Sequence, residues 1–284
     1  MASDFMRDEH CVAFLQWVLP QLQLHWPGFR KMRRQVCKRL QRRILLLKLS
    51  DIEAYRRYLQ DHADEWPILD HLCRVTVSRF NRDKVVLEHV RNEVLPELAQ
   101  QMIVSGETSL RVWSAGCAMG EEAYSIVLIW ENALRKDFPQ LDIHVLGTDI
   151  DEDLLQRAGH ACYPYSSVKA LPEAWLKSAF RQKQNEYCLE AQLRNKANFI
   201  KQDIRKKYNE GPFHVVFCRN MVFTYFTETL QLEMLEHIRS NLIDGGTLII
   251  GGHESIPEGF DGFEQWSNQR AIFRKTRGSV NSGT

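Results

Sequence analysis

The sequence predicts an α/β protein in which a mainly parallel sheet carries helices on both faces, preceded by a small N-terminal helical domain. Three observations carry this. Apolar runs beginning at Leu110, Ile143, Phe199 and Phe213 each end in polar residues and alternate with helical stretches, the pattern of right-handed strand, helix, strand crossovers. The first run, Leu110-Arg-Val-Trp-Ser-Ala-Gly-Cys-Ala-Met-Gly-Glu-Glu-Ala-Tyr-Ser125, passes from a strand through a glycine-rich turn straight into a helix. Before Val112 only helical spacing is found.

Cys11-Val-Ala-Phe-Leu-Gln-Trp-Val-Leu19 has helical spacing, Pro27-Gly28 breaks it, and Phe29 to Leu47 resumes it. A further helix is expected to start in Ser50-Asp51-Ile52-Glu53, where Ser50 and Glu53 stand at capping-box spacing. These stretches define a helical domain over residues 1–75, leaving 76–284 for the sheet. There, Ala115, Gly116, Ala118 and Gly120 keep side chains away from the turn, so backbone N–H groups at the helix start can approach a ligand closely. Ile143 to Ile150, Phe199 to Ile204 and Phe213 to Asn220 supply the next strands, and ligands of open parallel sheets bind at their carboxyl ends. Residues 163–198 are more polar, contain Pro164 and Pro172, and include a short possible hairpin around Tyr187 to Leu193; they read as a small insert. The tail Arg277 to Thr284 is expected to fray.

A chain of 284 residues exceeds the usual single domain, which fits one catalytic domain with a smaller appendage. Its 37 basic and 36 acidic residues leave a net charge of +1, so no nucleic-acid partner is expected. No run of about 18 apolar residues exists to span a membrane, and Met1 to Glu9 lacks the order of a signal peptide. A cytoplasmic protein is expected. The seven cysteines are scattered without a CxxC pair, which predicts reduced thiols and no metal site.

Taken together, these stretches resemble the S-adenosylmethionine (SAM) methyltransferase domain of the CheR type, the family that methyl-esterifies glutamate side chains of bacterial chemoreceptors. The resemblance rests on Ser114-Ala-Gly-Cys-Ala-Met-Gly-Glu-Glu122, on Cys218-Arg219-Asn220 closing the fourth strand, and on a late hairpin, Asp244-Gly-Gly-Thr-Leu-Ile-Ile-Gly251. Upstream, Phe29 to Leu59 resembles the family's basic helical region, including Arg39-Leu-Gln-Arg-Arg43 and the spacing of Ser50, Tyr55 and Leu59. It implies a Rossmann-like class I methyltransferase fold, SAM as cofactor and S-adenosylhomocysteine as product. The insert looks shortened against the family's.

Asp149, at the end of the second strand, is placed to accept hydrogen bonds from the ribose hydroxyls; a helix N-cap is the other use of an Asp there. The resemblance brings Asp203 and Ile204 to the adenine, with a plain turn residue the alternative for Asp203. It brings Glu121, beside the Ala115 and Gly116 loop, to the amino-acid end of SAM, although any helix start favours a carboxylate. Asn220 would hold the methionine part, orient the acceptor, or merely cap the next helix. Thr76-Val-Ser-Arg-Phe-Asn-Arg-Asp83 matches the family's Thr/Asn-rich turn and Phe-Phe-Arg, which gives Arg82 the family arginine's role at SAM and acceptor, with Thr76 and Ser78 as partners of the SAM carboxylate. Asn81 replaces the second Phe. The family has Tyr four residues after Asn; here Tyr225 stands five after Asn220 and Thr224 four after it, and Tyr225 is expected to serve. His253 replaces a Ser and either lines the acceptor pocket or is structural.

Methyl transfer from a sulfonium is an in-line displacement in which the enzyme supplies mainly proximity and orientation. A carboxylate acceptor is already ionised at neutral pH; an amine or phenol more often needs a base, for which His253 is the candidate. Arg82 would align a carboxylate bidentately and Tyr225 would donate to it. The basic run Arg30 to Arg43 puts Arg34, Lys38 and Arg42 on one helical face. That face is either simply solvated or, as the resemblance implies, docks an acidic helical protein substrate. A monomer is expected. Other acceptors, a small molecule or a non-chemotaxis protein, and a non-enzymatic SAM sensor remain open.

Overall fold

The computed structural model describes residues 7–266 and 269–276, so the expected frayed tail lies outside the described residues. Two units form among the described residues: 7–76 with 224–230, and 77–223 with 231–266 and 269–276.

The first unit holds α1 (Asp8–Val18), the short α2 (Trp26–Phe29), α3 (Arg33–Leu46), α4 (Ile52–Asp61) and α5 (Glu65–Cys73). Each helix buries one stripe: Cys11, Phe14, Leu15 and Val18 on α1, Val36, Cys37, Leu40 and Ile44 on α3, at the spacing that keeps apolar groups on one face. Pro27 sits in the first turn of α2, where its missing N–H costs nothing. The cap of α4 is Asp51, which accepts Ala54 N–H at 2.8 Å, and not Ser50, whose hydroxyl donates to Asp51. Glu65 is buried, and Arg43 grips it through Nε (2.9 Å) and Nη2 (2.6 Å) while Tyr55 donates its hydroxyl at 2.7 Å. Burial works against the charge, but these bonds outweigh it and hold the Glu65 carboxyl below its ordinary range. Leu24 bridges to Phe226, which is how 224–230 join this unit.

The second unit is built on a seven-stranded sheet of order β6-β2-β1-β7-β8-β10-β9. Its strands are β1 (Ser109–Ala115), β2 (Asp142–Asp149), β6 (Ala197–Lys201), β7 (Phe213–Phe217), β8 (Leu242–Ile249), β9 (Phe263–Gln265) and β10 (Ile272–Lys275). Pairing is parallel from β6 to β8 and antiparallel only for β10 with β8 and β9. Every residue of β7 is buried, as a central parallel strand requires. Asp244-Gly-Gly, expected in a hairpin, lies inside β8 opposite a register shift between Phe213 and Val215, so it marks a bulge and not a turn. Residues 162–189 form a separate three-stranded antiparallel sheet, β3 (Cys162–Pro164), β5 (Glu186–Leu189) and β4 (Phe180–Lys183). Helices α6 (Lys84–His89), α7 (Leu95–Ser105), α8 (Glu121–Ile129) and α9 (Glu152–His160) follow or precede the first strands. Chain direction across the sheet reverses at β1, which lies between β2 and β7, and the carboxyl ends there form the crevice of a doubly wound sheet.

The cysteines correct the expectation of thiols throughout. Cys11 is bonded to Cys37, and Cys162 to Cys188; the free thiols, Cys73, Cys117 and Cys218, are all buried. Each link is made by packing: α1 lies on α3, and Cys162 faces Cys188 across the β3 and β5 ladder. A motif search along the chain cannot see either pairing.

Candidate active site

The glycine turn is stitched to the neighbouring strand before any ligand is considered. Gly116 and Cys117 both donate N–H to the Thr148 carbonyl, at 2.8 and 2.9 Å. Gly116 (φ +74°) and Gly120 (φ +86°) take left-handed backbone. At Gly116 a Cβ would lie 2.5 Å from Met221 Sδ, so any larger residue would have to displace that thioether as well as adopt left-handed backbone. Asp149 closes β2, and its carboxylate accepts Ala118 N–H at 2.9 Å and Asp151 N–H at 3.0 Å. The cap of α9 is Asp151, which accepts Asp153 and Leu154 N–H. Asp149 thereby braces the glycine loop against the start of the turn after β2.

Glu121 opens α8 with no exposed surface, and its Oε1 accepts the Ser167 hydroxyl at 3.0 Å. Its Oε2 is buried without a hydrogen-bond partner. Burial pushes this carboxyl up, against the pull of its bonds to Ser78 and Ser167. A buried carboxylate oxygen without a hydrogen-bond partner suits an ammonium, the group that the amino-acid end of SAM presents; together with the glycine cradle, the residues present fit that cofactor.

Beyond β6, the Asp203 carboxylate is held by the Arg205 backbone N–H (3.0 Å) and by its guanidinium Nε and Nη2 (3.0 and 2.9 Å). Ile204 is buried, and its carbonyl and Tyr208 N–H both engage the ring of His237. Sequence reasoning missed Arg205 and His237, whose roles depend on the fold of this turn.

On the opposite side runs the segment 77–83. Phe80 is buried edge-on to Tyr163 and Phe180, and Tyr163 donates its hydroxyl to the Met119 carbonyl at 2.8 Å, so the small sheet props both segment and glycine turn. Asn81 donates N–H to the Ser125 hydroxyl and its amide to the Ala170 carbonyl, each at 3.1 Å, which accounts for a polar residue where the family has Phe. Arg82 is half-exposed and donates to the Val77 carbonyl at 2.8 Å. Bonded to its backbone is a residue to which the sequence reading gave no role of its own. Arg219 is buried and donates through Nη2 to the Arg82 carbonyl (2.6 Å) and Asp83 Oδ2 (3.0 Å), and through Nη1 to Glu122 (3.1 Å). Asn220, at φ +57°, donates its N–H to Glu254 at 2.7 Å and its amide to Asp83 at 3.3 Å. Burial works against the Asp83 charge, but Arg219 and Asn220 outweigh it and hold that carboxyl below its usual range.

The second unit thus carries Ala115, Gly116, Glu121, Asp149 and Asn220 at or just after the carboxyl ends of β1, β2 and β7, Ser78 and Arg82 on the segment 77–83, and Asp203 and Ile204 after β6. His253 is exposed. Thr76 and Tyr225 belong to the helical unit. There the Tyr225 ring meets Phe29 edge-on at 5.0 Å and its carbonyl accepts His25 N–H. Arg34, Lys38 and Arg42 are exposed on α3, whereas Arg33 is spent on Asp8, Arg39 on the Leu72 and Arg74 carbonyls and Arg43 on Glu65. Among the described residues no cluster suits a metal ion, and no helix is long and apolar enough to cross a membrane.

Comparison with known proteins identifies the family. The family described as CheR methyltransferase, SAM binding domain, matches residues 76–272. "Chemotaxis protein methyltransferase 2" of Vibrio cholerae is 31% identical over 230 residues, 78% of this chain and 77% of its own. "Chemotaxis protein methyltransferase" of Listeria innocua is 31% identical, covering 65% and 67%, and the protein of that name from Salmonella typhimurium is 29% identical, covering 79% and 76%.

Proposed function

Because the chain belongs to the CheR methyltransferase family, we propose that this SAM-dependent methyltransferase esterifies glutamate side chains of a chemoreceptor-type protein. The family match over residues 76–272 carries the reading, and the relatives named as chemotaxis methyltransferases support the acceptor class. The cofactor supplies a methyl group on a positively charged sulfur, an excellent leaving group. The protein's part is to bind and align. Asp149 accepts from the ribose hydroxyls, Glu121 from the ammonium, and Asp203 with Ile204 bounds the adenine; Ala115 and Gly116 offer backbone, and Thr76 and Ser78 hydroxyls, to the cofactor. Arg82 presents a guanidinium to carboxylate, and Asn220 orients what lies at the end of β7. A glutamate acceptor is ionised at neutral pH, so alignment replaces deprotonation as the main demand. His253 lines the acceptor side. The exposed Arg34, Lys38 and Arg42 favour an acidic helical partner, met in the cytoplasm by a monomer.

The test is transfer of labelled methyl from SAM to a receptor cytoplasmic fragment, run beside a small-molecule extract. Base-labile label on the fragment is expected; label found solely in small molecules overturns the acceptor class. The role of Tyr225 is tested in the same assay: Tyr225→Phe should cut turnover strongly with little change in Tm, and a silent Tyr225→Phe beside a damaging Thr224→Val transfers the role to Thr224.

A further inference from the structure

We propose that Arg219 is a positioning residue that holds Arg82 in its working place through the backbone. This rests on the reading of Arg82 as a cofactor-site residue. Arg82 stands between Asn81 and Asp83, both at φ +54°, a left-handed conformation that Asn and Asp tolerate better than other side chains but that still costs more than ordinary helix or strand backbone. Two such residues in three will not stay so unless their surroundings fix them. Asn81 is fixed by Ser125 and Ala170, and Asp83 by Arg219. A single Nη2 spans the Arg82 carbonyl and the Asp83 carboxylate, while Nη1 reaches back to Glu122, itself tied to the Ser114 hydroxyl at 2.7 Å. The chain of contacts therefore runs from the end of β1, through a buried guanidinium, to the peptide bond of Arg82.

Stability alone is a poor account of this arrangement. Arg219 Nε is buried without a hydrogen-bond partner, and a buried ion cluster with an unmet donor is seldom better than an apolar replacement. What the guanidinium does supply is a rigid fork that ties Glu122 on Nη1 to the Arg82 carbonyl and Asp83 on Nη2 at a fixed separation, which the single ammonium of a lysine cannot reproduce.

Calorimetric titration of SAM into four proteins decides the matter: the parent, Arg219→Lys, Arg82→Ala, and the two combined. Arg219→Lys is expected to weaken SAM about tenfold in the parent and not at all in the Arg82→Ala background, because its effect travels through Arg82. An equal loss in both backgrounds would show a general structural role and overturn the proposal, as would unchanged affinity in Arg219→Lys while Arg82→Ala is impaired. If Arg82→Ala itself binds SAM like the parent, the reading of Arg82 fails first and the proposal with it, a distinct result. Should Arg219→Lys not fold, Asp83→Asn, which keeps the side-chain shape and removes the charge, replaces it in the same cycle. It is expected to weaken SAM severalfold, again only when Arg82 is present; a loss that persists without Arg82 overturns the proposal.

Discussion

Asp149 ends β2 and Glu121 begins α8, yet the chain treats the two carboxylates in opposite ways. Asp149 already accepts two backbone N–H groups, so its charge is supported before any cofactor arrives. Asp149→Asn keeps the shape and should weaken SAM and S-adenosylhomocysteine alike by about 1–3 kcal/mol, the scale of a mismatched polar group; unchanged calorimetry would remove the ribose assignment. Glu121 has one oxygen unmet and its carboxyl pushed up by burial. A carboxyl whose pKa is raised on folding favours the folded protein below the ordinary glutamate range and loses that contribution as pH rises through the raised value. An ammonium favours the ionised form, so SAM affinity should rise with pH across that window and binding should release a proton. Glu121→Gln should flatten the slope in calorimetry over a pH series; an unchanged slope assigns the dependence elsewhere. The places of Asp149 at a strand end and Glu121 at a helix start were legible because both are marked by their own neighbours. Arg219 was not, since its partners Asp83 and Glu122 lie 136 and 97 residues away.

At the scale of the element, α3 shows how a charge run divides once folded. Arg33, Arg39 and Arg43 are engaged within the helical unit, leaving Arg34, Lys38 and Arg42 exposed, with Leu45 and Leu46 exposed at the end of the same helix. Their spacing of four was readable; which of the remaining arginines are consumed was not, because Asp8, Glu65 and the Leu72 carbonyl come from other helices. Neutralising Arg34, Lys38 and Arg42 together should raise the apparent KM for a protein acceptor, reduce the salt dependence of the remaining activity and leave SAM affinity unchanged. Equal methylation by parent and variant at low and high salt would mark the face as simply solvated. The strands were legible from their apolar runs, whereas the placing of Asp244-Gly-Gly inside β8 depended on a bulge that local turn chemistry does not distinguish from a hairpin.

For the whole molecule, the two disulfides bear on where it works. Such links are rare in a reducing cytoplasm, so the cytoplasmic proposal meets a direct check in peptide mapping of protein alkylated before cell lysis. The structure's pairing expects Cys11 with Cys37 and Cys162 with Cys188; alkylation of all four in cells would show that the links close only after release. Breaking one link in the oxidised protein should cost about 3 kcal/mol by the chain-entropy account, or roughly 6–12 °C in Tm for a chain of this size. The helical unit also has a consequence for synthesis. His25 meets the Thr224 carbonyl 199 residues further along, and Leu24 finds its bridge at Phe226. A ribosome therefore delivers α1 to α5 long before their last strand-like segment exists, and the first part of the chain to emerge is among the last to be completed. Translation pauses or early release before Phe226 would leave those helices without their closing segment, so folding from the N-terminus cannot finish this unit until residues 224–230 have been made and have left the ribosome.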